Sequence, residues 1–171
     1  MLTRHHATLT QMSTAVYAPD EQHRYLLTRV WQPQGRRALF VMLNPSTATE
    51  VQNDPTVERC QRRATALGYG GLRVVNIFAF RATDPRRMKA ATDPVGPGND
   101  AAIVDSLTWA DAVIAAWGTH GAHLGRGAAV ERMIRAAGVV PQVLALTRDG
   151  HPQHPLYVSY ARQPVPWPAG A

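Results

Sequence analysis

The sequence predicts an α/β protein, a three-layer αβα fold built on a mainly parallel four-stranded central sheet that an N-terminal β-hairpin extends. Three observations carry this prediction. Four short apolar runs, 38–43, 72–78, 112–117 and 143–146, lack the alternation of a half-solvated strand and read as strands covered on both faces. Stretches with helix start and stop signals separate them, and such alternation implies right-handed crossovers and parallel pairing. Ahead of them, residues 12–33 read as two strands around a turn.

In chain order, Ser13–Tyr17 and Arg24–Trp31 flank the turn-like Ala18-Pro19-Asp20-Glu21, and Ala38–Leu43 is the first parallel strand. A helix follows from about residue 55. Asp54 suits its N-cap, Pro55 suits a first position whose amide has no helical partner, and Gly68 can end it. The strand Leu72–Phe78 comes next, then a short helix near Pro85 and a longer one from Asp100 to Trp109 with Asn99 as its cap. Ala112–Trp117 is the third parallel strand, a helix runs from about Gly127 to Ala137 and stops at Gly138, and Val143–Leu146 is the fourth strand. Pro164, Pro166 and Pro168 make the tail irregular, since each removes a backbone donor.

A chain of 171 residues, 45% hydrophobic, suits a single domain over 1–171, with a globular core at 12–160 and a proline-rich tail at 161–171. No stretch approaches the ~20 apolar residues of a membrane span. The opening MLTRHHATLTQMS lacks the apolar segment of a secretory signal, so a cytoplasmic protein without membrane association is expected. The single cysteine, Cys60, excludes an intrachain disulfide and any all-cysteine metal or iron–sulfur site within one chain. The formal charge is +6 and nearly all the cations are arginines, Lys89 being the only lysine. Because arginine meets phosphate through a planar fork, nucleic acid or a nucleotide is the expected partner.

Ligands of open parallel sheets bind beyond the carboxyl ends of the strands. Asn44-Pro45-Ser46 follow the first predicted strand; Asn76 and Phe78 close the second, with Arg81 just beyond. Trp117 to His120 follow the third, and His151, His154, Leu156 and Tyr157 follow the fourth. The unusual polar groups therefore share one rim. Asn76, inside an apolar run, needs partners for both ends of its amide, and a ligand edge would supply them. His151-Pro152 and His154-Pro155 make a stiff loop bearing imidazoles. Simpler readings stand beside these: Asn44-Pro45 as a turn, Trp117 as core, Asp54 as a helix cap, and Arg62 and Arg63 as a solvated helix face.

The segments FVMLNPSTA (40–48), VVNIFAFRATDP (74–85), AVIAAWG (112–118) and HPLYV (154–158) are similar to the DUF1643 domain, a family of uncharacterised bacterial and phage proteins. That similarity spans about residues 12–160. More distantly, the chain resembles the uracil-DNA glycosylase superfamily, also a parallel αβα fold. Leu43-Asn44-Pro45 looks like its first motif, Gly-x-Asp-Pro or Gly-x-Asn-Pro, and Asn76 stands like its base-reading asparagine. Asn76 to Pro85 loosely resembles the asparagine strand and Arg-Pro of some branches. His154-Pro155-Leu156, or His151-Pro152, resembles the closing His-Pro motif. Met42 stands where the first motif has glycine, Asn44 replaces the activating aspartate of the most efficient branch, and the cluster cysteines of other branches are missing.

The resemblance implies recognition of a nucleobase, in nucleic acid or a nucleotide, and hydrolysis of its N-glycosidic bond without a cofactor. Asn44 would orient water, His154 (or His151) would donate to the developing oxyanion, and Asn76 would pair with the base edge. Phe78 or Phe80 would stack on the base, and Leu156 or Tyr157 would wedge into a duplex as the base is extruded. Pro45, Ser46, Arg81, Trp117 and His120 complete the expected binding set. Two alternatives use the same rim. One is a non-catalytic nucleotide or nucleic-acid binding module. The other is a metal-dependent hydrolase in which His120, His123, His151 and His154, with Asp54 or Glu50, hold a divalent ion.

Overall fold

A computed structural model describes residues 1–170. Its strands are β1 (Leu2–Ala7), β2 (Met12–Tyr17), β3 (Arg24–Val30), β4 (Arg37–Met42), β5 (Gly71–Asn76), β6 (Ala112–Ala115), β7 (Gln142–Val143) and β8 (Val165–Pro166). Its helices are α1 (Pro55–Ala66), α2 (Pro85–Ala90), α3 (Asn99–Trp109) and α4 (Arg126–Ala136), with 3-10 turns at Thr119–Gly125 and Pro155–Tyr157.

All eight strands join one sheet, in the order β1-β2-β3-β5-β4-β6-β7-β8. Strands β5, β4, β6 and β7 run parallel to one another; β1, β2 and β3 add antiparallel beside β5, and β8 adds antiparallel beside β7. The sheet is thus mixed, and two strands wider than the four parallel strands and hairpin that the sequence predicts. Strands β1 and β8 make up the difference, and β7 departs from its predicted span. Strand β1 has the polar spelling LTRHHA, which carries no apolar signal, yet it pairs with β2 from Leu2↔Tyr17 to Ala7↔Met12. Strand β7 is only two residues long, because Leu146 leaves the ladder to bridge Pro152 across a turn. The tail, expected to be irregular, contributes β8 instead, and Trp167 beyond it is buried with its amide bonded to the Pro141 carbonyl.

Alternate residues of the central strands face opposite layers, as the strand period requires. Phe40, Met42 and Val74 pack with Val57, Cys60 and Ala64 of α1. Leu39, Val41, Val75 and Val113 pack with Met88 of α2, Ile103 and Leu107 of α3, and Val130 and Ile134 of α4. Burial of each large apolar side chain contributes roughly 1.5–3 kcal/mol against exposure, so these two layers fix the sheet between its helices.

Local signals set the helix ends. Asp54 caps α1 as expected, its Oδ1 accepting from the Val57 amide at 2.9 Å, and Gly68 beyond the last turn has φ +87°. Asn99 departs from expectation. It lies inside α3 with Gly98 at the cap, and its buried amide donates to the Asn76 and Ile77 carbonyls at 2.8 and 3.2 Å. Arg126 donates to the same Ile77 carbonyl at 2.7 Å, so the unpaired end of β5 is sealed from two sides.

Arginines brace the chain on both sides of α1. Buried Arg29 of β3 donates to the Thr49 and Gln52 carbonyls and to Asn53 Oδ1, holding the β4–α1 loop in place. Arg63, expected to be a solvated helix residue, is buried; it donates to the Val158, Ser159 and Arg162 carbonyls and lies over the Tyr160 ring. Arg59 adds bonds to the carbonyls of Pro155 and Val158. Helix α1 thereby grips the segment that follows His154.

Candidate functional site

A cleft of about 490 Å³ opens beyond the carboxyl ends of β4 and β6, walled by the start of α1, the segment before α2 and the loop 147–157. Seven residues predicted from the sequence meet there: Asn44, Ser46, Trp117, His120, His154, Leu156 and Tyr157. Five do not. Asn76 ends β5 buried beneath the rim, with Oδ1 unpartnered among the described residues. Pro45 is buried beside the cleft, and its carbonyl accepts from the Ala82 amide. Phe78 is buried against His123, the ring centroids 5.7 Å apart. Arg81 folds back to donate to the Glu21 carbonyl and covers the Tyr17 ring. His151 lines a separate cavity of about 340 Å³ with Glu131 and Trp167. Phe80 is likewise occupied elsewhere, edge-on to His23. The cleft also holds Asp54, read from the sequence as a helix cap or metal ligand, and adds Thr56, Thr83, Thr147 and Gln153. Neutral polar residues in loops carry no spacing signal, although Gln153 stands between the two His-Pro pairs.

Asn44 is fixed in orientation by its surroundings. Its Nδ2 donates to the Pro45 carbonyl at 3.1 Å and the Ala82 carbonyl at 2.8 Å. A flipped amide would turn an oxygen toward two carbonyls, so the assignment is unambiguous, and Oδ1 is left as the acceptor. His154 is fixed as well. Its Nδ1 accepts from the Leu156 amide at 3.3 Å, which places the proton of the neutral ring on Nε2. Burial lowers the His154 pKa to about 4, a charge from Asp54 opposing the shift only in part. At neutral pH the ring is an uncharged donor. His120, which also lines the cleft, has its pKa lowered too, first by burial and then by Lys89.

The loop bearing His154 is held on both flanks. Gly118, at φ +75°, donates to the Pro152 carbonyl at 2.7 Å, and the Gln153 amide donates to Ala145 at 3.0 Å. A Cβ at position 118 would lie 3.6 Å from the His154 Cβ in a backbone conformation that side chains rarely adopt, so glycine is required there.

A stability prediction follows from His154. Its folded pKa lies below the ordinary 6.5, so the unfolded chain binds the extra proton first, and stability is lost as pH falls from about 6.5 toward 4. By pH 5 the loss should reach about 2 kcal/mol. Denaturant titrations of wild type and His154→Gln across that range check this; the variant should lack the His154 part of the acid slope.

The four-histidine metal arrangement is not formed. His120 and His154 line the cleft, but His123 packs on Phe78 and His151 faces the other cavity. Among the described residues no three His, Cys, Asp or Glu side chains gather as a metal site requires. Nor, among those residues, is any helix long and apolar enough to cross a membrane.

Fold and cleft together define an α/β protein with a pocket of mixed polar and apolar lining at the carboxyl ends of its parallel strands, where such sheets bind ligands. The chain belongs to the family described as protein of unknown function (DUF1643), whose model matches residues 24–156. No curated protein and no solved structure matches it.

Proposed function

We propose that the cleft takes up a nucleobase from a nucleic-acid strand or nucleotide and supports hydrolysis of its N-glycosidic bond, as in the uracil-DNA glycosylases that the chain resembles. The observation that carries this reading is one matched pair: an asparagine fixed as acceptor and a neutral histidine fixed as donor, on the walls of a single cleft. A base edge presents donors and acceptors side by side. Gln153, whose amide can do both, takes over the edge-pairing expected of Asn76. Trp117 lies buried in the core at the cleft floor, so the aromatic surface comes from Tyr157, which is 76% exposed and stands where a wedge into stacked bases would be needed.

A second reading, the non-catalytic binding module, is favoured by one specific fact. Asn44 offers water only a non-basic amide oxygen, and both Asp54 oxygens already accept backbone amide hydrogen bonds, so neither is an unengaged base for water.

Thermal stabilisation by nucleobases, nucleotides and short modified DNAs tests the shared part. A ligand at 100 times its Kd should add about 2.7 kcal/mol to apparent stability. That gain should fall sharply in Asn44→Ala. Stabilisation by none of these compounds, or gains unchanged in Asn44→Ala, would overturn the reading. Single-turnover base release then separates enzyme from binder.

A further inference from the structure

Resting on the base-binding reading, we propose that Asp54 is the charged group of the cleft, its carboxylate facing the sugar of the bound nucleoside and stabilising the positive charge that develops there as the base departs. Among the described residues Asp54 is the only carboxylate lining the cleft, and neither lysine nor arginine lines it. In a chain of net charge +6 this leaves the cleft wall with one anion and no cation. A cation therefore meets an opposite charge inside, whereas a phosphate meets only neutral donors.

The capping role alone does not account for the charge. Serine, threonine or asparagine would satisfy the start of α1 as well, and a carboxylate only 8% exposed is costly to desolvate. Both oxygens are pinned, Oδ1 by the Val57 amide at 2.9 Å and Oδ2 by the Ala48 amide at 3.3 Å. Each keeps a further lone pair. The group is therefore held in place before any ligand arrives, as electrostatic stabilisation of a transition state requires. His154 feels its charge, and so does fully buried Arg24, which bonds the Ala48 carbonyl but does not line the cleft.

In the step this serves, the bond between C1′ and the base nitrogen breaks and its electron pair leaves with the base. The base oxygen receives the hydrogen bond from His154 Nε2, while the sugar becomes an oxocarbenium cation opposite Asp54. Water adds through its oxygen to C1′, and the proton it sheds ends on the released base. The products are a neutral base and a hydrolysed sugar.

The test compares three single-stranded oligonucleotides of identical flanking sequence at low salt. One carries a pyrrolidine abasic residue, cationic at neutral pH; one carries the uncharged tetrahydrofuran residue; one carries the base that gives the greatest thermal stabilisation. Wild type should bind the pyrrolidine strand about tenfold or more tightly than the tetrahydrofuran strand, given one desolvated charge pair. In Asp54→Asn and Asp54→Ser, which both retain a helix cap, that ratio should fall toward one. Circular dichroism and a thermal melt establish that each variant is folded. Equal binding of the two abasic strands by wild type, with the base-bearing strand still bound, would overturn the role of Asp54 and leave base recognition standing. So would a preference that persists in both variants. Failure of all three strands to bind would overturn base recognition and the inference together.

Discussion

Replacing Arg63 by methionine is expected to lower the unfolding free energy by about 3 kcal/mol and to weaken ligand binding in the cleft. The guanidinium is buried and donates to three carbonyls of the segment after His154. A hydrogen bond to a charged group contributes about 1.5–3 kcal/mol, and the carbonyls left behind would be stranded without donors. Methionine fills the volume but donates nothing. For a chain of this size the melting temperature should fall by roughly 6–12 °C. Arg62, the adjacent residue, supplies the control. It is exposed and pairs only with Glu58, so Arg62→Met should change stability by less than about 0.5 kcal/mol. Equal effects of the two substitutions, measured by denaturant unfolding, would show that α1 does not grip the tail.

Replacing His154 by alanine should slow any base release about 100-fold, the lower end of the loss for one oxyanion donor. The Leu156 amide fixes the ring tautomer, and burial holds the ring neutral down to about pH 4. The rate should therefore not depend on His154 ionisation anywhere between pH 6 and 8. Single-turnover measurements of wild type and His154→Ala over that range check both points. His151→Ala is the comparison, since that side chain lines the other cavity and its rate should stay near that of wild type. A rate equal to that of wild type in His154→Ala would remove the histidine from the chemistry. No release from any damaged, modified or uracil-bearing strand would favour the binding module.

The central strands were legible because burial on both faces leaves continuous apolar spelling, as in Ala38–Leu43 and Ala112–Trp117. The α1 start was legible because Asp54-Pro55 is a local capping signal, answered by the Asp54–Val57 bond. Strand β1 was hidden because its side chains are mostly exposed, so nothing selects apolar residues there. Arg63 was hidden for a related reason. Its partners lie about 95 residues away, and no helical period reports a contact made with distant carbonyls. Within the cleft, Asn44 and His154 were legible as odd polar residues beside prolines after apolar strands. Asn76 is also an odd polar residue after an apolar strand but lies beneath the rim, because residue order places a side chain at a strand end without saying on which side of the next turn the cleft opens. The metal alternative failed similarly: the Thr119–Gly125 turn directs His123 onto Phe78.

The two-sided anchoring of the His154 loop has a kinetic consequence. With Pro152 and Gln153 tied to Gly118 beyond β6 and to Ala145 beyond β7, and Pro155 and Val158 tied to α1, the loop loses its conformational freedom when the chain folds. A ligand then meets a formed wall and gives up little further entropy on ordering it. Association has no closure step to wait for, so its rate is governed by encounter and by the arginine-rich surface. Differences in affinity between related ligands should accordingly be carried by how fast each one leaves.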